Sequence, residues 1–170
     1  MMQRLARIAR IRRDENGSMA IETAFVTPML LMLALGGFEA STMVARQTEL
    51  QTAAAEAATV VRAVQPDDDA ERATVRGIVA TSICENYEVK TEGTTSTCGE
   101  EGEMDVTVTV TPLVRCGTAA DYSEDGTDCG SEVKYEFIQI DLTDRYDPIW
   151  TKWGVSDGFD FNVSRTVQVG

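Results

Sequence analysis

A chain of 170 residues with 28 acidic residues, 15 basic residues and no histidine has room for one modest globular body. It lacks the side chain on which Ser-His and Cys-His nucleophile systems depend. The formal charge of −13 is segregated: residues 1–17 carry five Arg against Asp14 and Glu15, leaving ten basic and 26 acidic residues, near −16, in the remainder. Such a body repels phosphate backbones, so nucleic acid is not an expected partner. The carboxylates are so numerous that no pair stands out as acid and base, and no enzymatic activity is expected.

In chain order, the first feature is an arginine-rich segment, with Arg4, Arg7, Arg10, Arg12 and Arg13. An apolar run follows from Ala24 to Phe38, AFVTPMLLMLALGGF, interrupted only by Thr27, Pro28, Gly36 and Gly37. Together with residues 18–23 it reaches the roughly 20 residues needed to span a bilayer. Arginines before it and acidic residues after it orient the N-terminus to the cytoplasm and residues 41–170 outside. A cleaved signal peptide shares this outline, but Glu22 and Pro28 at the front of the run have no use in an h-region. Residues 39–64 contain neither Gly nor Pro and place Met43, Leu50, Ala54, Ala57, Val61 and Val64 at helical spacing, so the membrane helix is expected to continue as a stem. Pro66 and Asp67 to Asp69 stop it and cap a second helix over residues 70–83.

Residues 92–103, EGTTSTCGEEGE, read as a polar loop. Three strands are expected after it. Residues 105–113 alternate Val106, Val108 and Val110 with Thr107, Thr109 and Thr111; residues 133–142 carry Tyr135 and Phe137 on one face and Ile138, Ile140 and Leu142 beyond; residues 159–169 alternate Phe159, Phe161, Val163, Val167 and Val169 with polar residues. The expected fold is α+β: a long N-terminal membrane and stem helix, a second short helix, and a small antiparallel sheet with disulfide-stapled loops and one face on the helices. The expected divisions are a leader (1–17), a membrane helix (18–38), a stem (39–64) and an extracytoplasmic body (65–170).

Cys84, Cys98, Cys116 and Cys129 all follow the apolar run and show no C-x-x-C spacing. That usage suits disulfides in an oxidising compartment better than zinc. Four cysteines allow three pairings; the sequence-local one, Cys84 with Cys98 and Cys116 with Cys129, would close two short loops worth about 3 kcal/mol each. Asp121, Ser123, Asp125, Gly126, Thr127 and Glu132 match the spacing of a 12-residue Ca²⁺ loop. Asp128 stands where that loop is usually apolar and no convincing helix precedes it, so an acidic turn with Cys129 in a disulfide is the better reading. No other cofactor is expected.

The stretch Arg12-Arg13-Asp14-Glu15-Asn16-Gly17-Ser18-Met19-Ala20-Ile21-Glu22 resembles a prepilin-peptidase site: a charged leader ending in Gly, then a glutamate five residues past the cut. Gly17 has no Cβ to obstruct an extended backbone in a protease groove, and the cut would expose an α-amino group on Ser18. Glu22 is otherwise a carboxylate near lipid, which is costly and usually functional. From Arg12 to Ala63 the chain resembles the TadE/TadG-like pseudopilins in its leader, its proline-bearing apolar helix and its Ala-rich stem, with Thr23 where members place an aromatic. The resemblance implies a minor pseudopilin of a tight-adherence (Tad) pilus. Its Glu22 would pair with a neighbouring subunit's N-terminal amine. Its partners would be the major pilin, other pseudopilins, the prepilin peptidase and the inner-membrane assembly platform. It would reside in the inner membrane with its body in the periplasm, then in a cell-surface pilus. Two rivals share parts of this pattern: an uncleaved single-pass anchor presenting a body that binds a ligand such as Ca²⁺, and a minor pseudopilin of type II secretion.

Overall fold

The computed structural model describes residues 15–85, 87–100, 104–155 and 157–169. The arginines of the expected leader, Arg4 to Arg13, lie outside the described residues. The chain divides into two units, Met1–Thr42 and Met43–Gly170. Helix α1, Glu15–Val64, contributes to both. In the first unit its apolar side chains, among them Met19, Phe25, Met29, Leu30, Leu33 and Phe38, are exposed all round. A helix apolar on every side suits lipid rather than water.

In the second unit, α1 turns Leu50, Ala53, Ala54, Ala57 and Val61 into the core. Val64, placed on the same stripe by sequence, is exposed, and Met43 is half-buried, so the core-facing stripe is shorter than its pattern. The helix ends where Gln65 adopts a φ of 47° and Pro66 follows, because proline disfavours the helical conformation of the residue before it. Helix α2, Asp69–Ile83, is capped by Asp68, whose carboxylate accepts from the Glu71 N–H at 2.8 Å; Glu71 in turn accepts from the Asp67 N–H at 3.0 Å. Such reciprocal capping satisfies donors that a helix start leaves orphaned.

The sheet comprises β1 (Lys90–Glu92), β2 (Thr95–Glu100), β3 (Met104–Cys116), β4 (Ser123–Glu124), β5 (Lys134–Tyr146) and β6 (Phe159–Gln168). It is antiparallel throughout, in the order β1-β2-β3-β5-β6, with β4 on β3. The expected three strands are all present. The polar-loop reading of residues 92–103 is corrected: Lys90–Glu92 and Thr95–Glu100 form a hairpin, with Gly93 at a φ of 55° at the first position of its two-residue turn, where an L side chain would be strained. On the core face, Val106, Val108 and Val110 meet Ile138, Ile140 and Leu142 across the β3–β5 ladder, and Val163 and Val167 continue from β6. Val75, Val79, Ala80 and Ile83 of α2 close the core with the α1 stripe.

Disulfides join Cys84 to Cys98 and Cys116 to Cys129, the sequence-local pairing. The first lies inside the core cluster, both cysteines being buried, and ties the end of α2 to β2. The second is half-buried and closes the connection between β3 and β5.

Candidate functional site

The backbone is helical from Glu15 onward, so the Gly17–Ser18 peptide bond lies in helical rather than extended backbone. Glu22 lies about one helical turn beyond Ser18 along α1, and the Glu22 side chain is exposed. Thr23 turns its hydroxyl back to donate to the Met19 carbonyl at 2.8 Å, which hides its polar group within the helix. Pro28, having no N–H, leaves the Ala24 carbonyl without its usual helical donor. Met19, Ala20, Thr23, Ala24, Thr27 and Pro28 line a shallow trough along α1 because most of them are small.

The residues of the Ca²⁺-loop pattern lie along the connection between β3 and β5. Among the described residues no group of three or more His, Cys, Asp or Glu could hold a metal. Ser123 is drawn into β4 opposite Val114, Asp125 lies 4.0 Å from the Lys134 ammonium, and Cys129 is tied to Cys116. Tyr122 stacks edge-on against Phe137 with ring centroids 5.0 Å apart, and the Arg115 guanidinium sits 5.0 Å from the same Phe137 ring. The segment 117–132 is therefore held to the sheet by the Tyr122–Phe137 contact on the outer face and by the Cys129–Cys116 disulfide at the end of β3, and Asp121, Asp125, Thr127 and Glu132 are exposed.

Sequence reasoning missed an ion pair inside the second unit. Arg46 Nε donates to Asp144 Oδ2 at 2.5 Å; the two side chains are 12% and 1% exposed. Asp144 Oδ1 also accepts from the Asp105 N–H at 3.3 Å, and Arg46 Nη1 reaches Glu49 at 2.9 Å. Burial, the largest influence on Arg46, lowers its proton affinity, but the hydrogen bond and charge of Asp144, aided by Glu49, outweigh it and raise its pKa above the ordinary value. A signal for this pair exists in the sequence. Arg46 stands one turn before Leu50 on the apolar stripe, and Asp144 continues the core-facing alternation of Ile138, Ile140 and Leu142, so each is the polar exception on its own element. On α2, Arg76 donates to the Gly93 carbonyl at 2.7 Å and holds the β1–β2 turn; its pKa is lowered chiefly by burial. Asp69 is lowered by the Arg72 hydrogen bond and charge.

Among the described residues one helix, Met19–Val64, is long and apolar enough to cross a membrane, and none of its most apolar window is buried. That helix suggests membrane anchoring, and a disulfide-linked α+β body follows it. Residues 17–59 match the family model described as TadE-like protein. The chain is thus similar to TadE-like proteins across this stretch, which is consistent with a TadE-like Tad pilus protein. No curated protein and no solved structure matches the chain.

Proposed function

We propose that this protein is a minor pseudopilin that takes part in assembling a Tad-type pilus, in its initiating or tip complex. In this reading residues 1–17 are a cytoplasmic leader, 18–38 span the inner membrane, 39–64 form the stem and 65–170 the periplasmic body. A prepilin peptidase cuts after Gly17, and Glu22 pairs with the Ser18 amine of a neighbouring subunit. The observation that carries the reading is that the TadE-like match begins at Gly17 itself and runs through the exposed apolar helix into the stem.

N-terminal analysis of the membrane-embedded protein tests the cut: Ser18 is the expected first residue, Gly17→Val should block processing, and retention of Met1 or Met2 in wild-type cells would refute it. Glu22→Ala separates assembly from processing. Loss of an intramembrane carboxylate relieves the bilayer of a group costing up to about 2.5 to 3.5 kcal/mol at mid-depth. The variant should therefore be inserted and cut normally yet be missing from sheared pili. Equal incorporation of variant and wild type would end the pairing role.

A further inference from the structure

The connection between β5 and β6 carries large apolar side chains that the core does not use. Ile149, Trp153 and Val155 are 44%, 68% and 70% exposed, and Phe159, the first residue of β6, is 42% exposed. The segment is a built structure. A 3₁₀ helix, Ile149–Trp153, follows the buried Pro148 and ends at Gly154, whose φ is 70° and whose N–H donates to the Thr151 carbonyl. Arg145 braces the two ends, reaching Asp147 at 3.4 Å, Asp160 at 3.1 Å and the Asp157 carbonyl.

Within the second unit, the connection lies at a defined end of the body. Arg46 of α1 meets Asp144 near the end of β5, whereas Pro66 and Asp67 just past α1 line a cleft with Glu136, Phe137 and Ile138 near its start. The β5–β6 connection therefore sits at the end where the chain enters this unit, and Arg46 follows Phe38 by only about two helical turns of sequence. Charge also distinguishes it. Across residues 145–160, Arg145 and Lys152 offset all but one of the charges of Asp147, Asp157 and Asp160, in a body whose sum is strongly negative.

We propose that this connection is a membrane-surface contact: Trp153, Val155 and Ile149 insert into the headgroup and acyl boundary of the bilayer that holds the anchor. Tryptophan is enriched at that depth because its ring is apolar and its N–H is not, and a lysine such as Lys152 reaches outward from it to water or phosphate. The connection itself carries a net charge of only −1, so it meets less repulsion from an anionic lipid surface than the acidic body as a whole. The contact would hold the body against the membrane before the subunit leaves it. The inference rests on the reading that the apolar helix is inserted.

The test uses the full chain reconstituted into phosphatidylcholine vesicles with and without lipids brominated in the upper acyl chain. Resistance to alkaline carbonate extraction reports insertion; tryptophan emission, quenched by bromine from the lipid side or by acrylamide from the water side, reports the contact. The expected result is strong bromolipid quenching that is mostly lost in Trp153→Phe and retained in Trp150→Phe, and that weakens in Val155→Asp with both disulfides intact. An inserted protein whose Trp153 is quenched by acrylamide and not by bromolipid would overturn the contact while sparing the anchor. Shielding from both quenchers would overturn it in favour of cover by another protein surface. Carbonate extraction of the protein would overturn the anchoring on which the inference rests.

Discussion

The Arg46–Asp144 pair makes an asymmetric prediction. In Arg46→Met, Asp144 keeps only the Asp105 N–H at 3.3 Å as a described partner, at a position 1% exposed. A buried charge left in that state costs about 3 to 5 kcal/mol. In Asp144→Leu, Arg46 is 12% exposed, retains Glu49 at 2.9 Å, and can extend its head toward water along its flexible stem. Its cost should be smaller, about 1 to 3 kcal/mol. Replacing both partners by apolar groups leaves neither charge buried, so Arg46→Met with Asp144→Leu should fall close to the wild type. Urea unfolding of the full chain in a mild detergent, followed by near-ultraviolet circular dichroism, measures all four proteins. With a slope of about 1.5 kcal/mol per molar urea, Arg46→Met should lower the midpoint by about 2 to 3 M. Additive effects in the double variant, or a larger loss in Asp144→Leu than in Arg46→Met, would refute the argument.

Three further outcomes follow from other contacts. Reduction under mild dithiothreitol should open Cys116–Cys129 first, because Cys84 and Cys98 lie in the core; mass mapping of alkylated peptides would show the order, and simultaneous loss would contradict it. Asp69, exposed but held by Arg72, should titrate below the usual carboxylate range, which carbon-detected NMR would read; its contribution to stability is present above its unfolded pKa and lost as pH falls through the folded one, and Arg72→Ala should bring it back toward the ordinary value. Gly158→Ala should destabilise the body by about 1 to 3 kcal/mol, since a side chain there would sit at a φ of 89° with its Cβ 3.1 Å from the Tyr146 carbonyl; an unchanged unfolding midpoint would show that the connection relaxes freely.

Much of this architecture can be read from short-range physics alone. The apolar run from Ala24 to Phe38, the period-two alternation of Val106, Val108 and Val110 with threonines, and the Pro66 and Asp68 signals between the helices each involve residues within a turn or a strand of one another. Their local preferences agree with the fold, so pattern suffices. The motif from Gly17 to Glu22 is legible for the same reason, being contiguous.

What only the tertiary structure decided involves partners far apart in the chain. Thr95–Glu100 is too polar to announce a strand, yet β3 offers it an open edge, and Ser96 and Cys98 fall on the core face opposite Val108 and Val106. Phe137 and Ile138, neighbours on opposite faces of β5, are both buried because Tyr122 covers the outer face with a segment that sequence spacing had offered as a cation loop. Arg46 and Asp144, 98 positions apart, each break the pattern of their own element, and only folding shows that the two exceptions neutralise one another. A local pattern can mark a residue as misplaced; which distant residue answers it depends on strand register and helix docking, and these depend on the packing of the whole core.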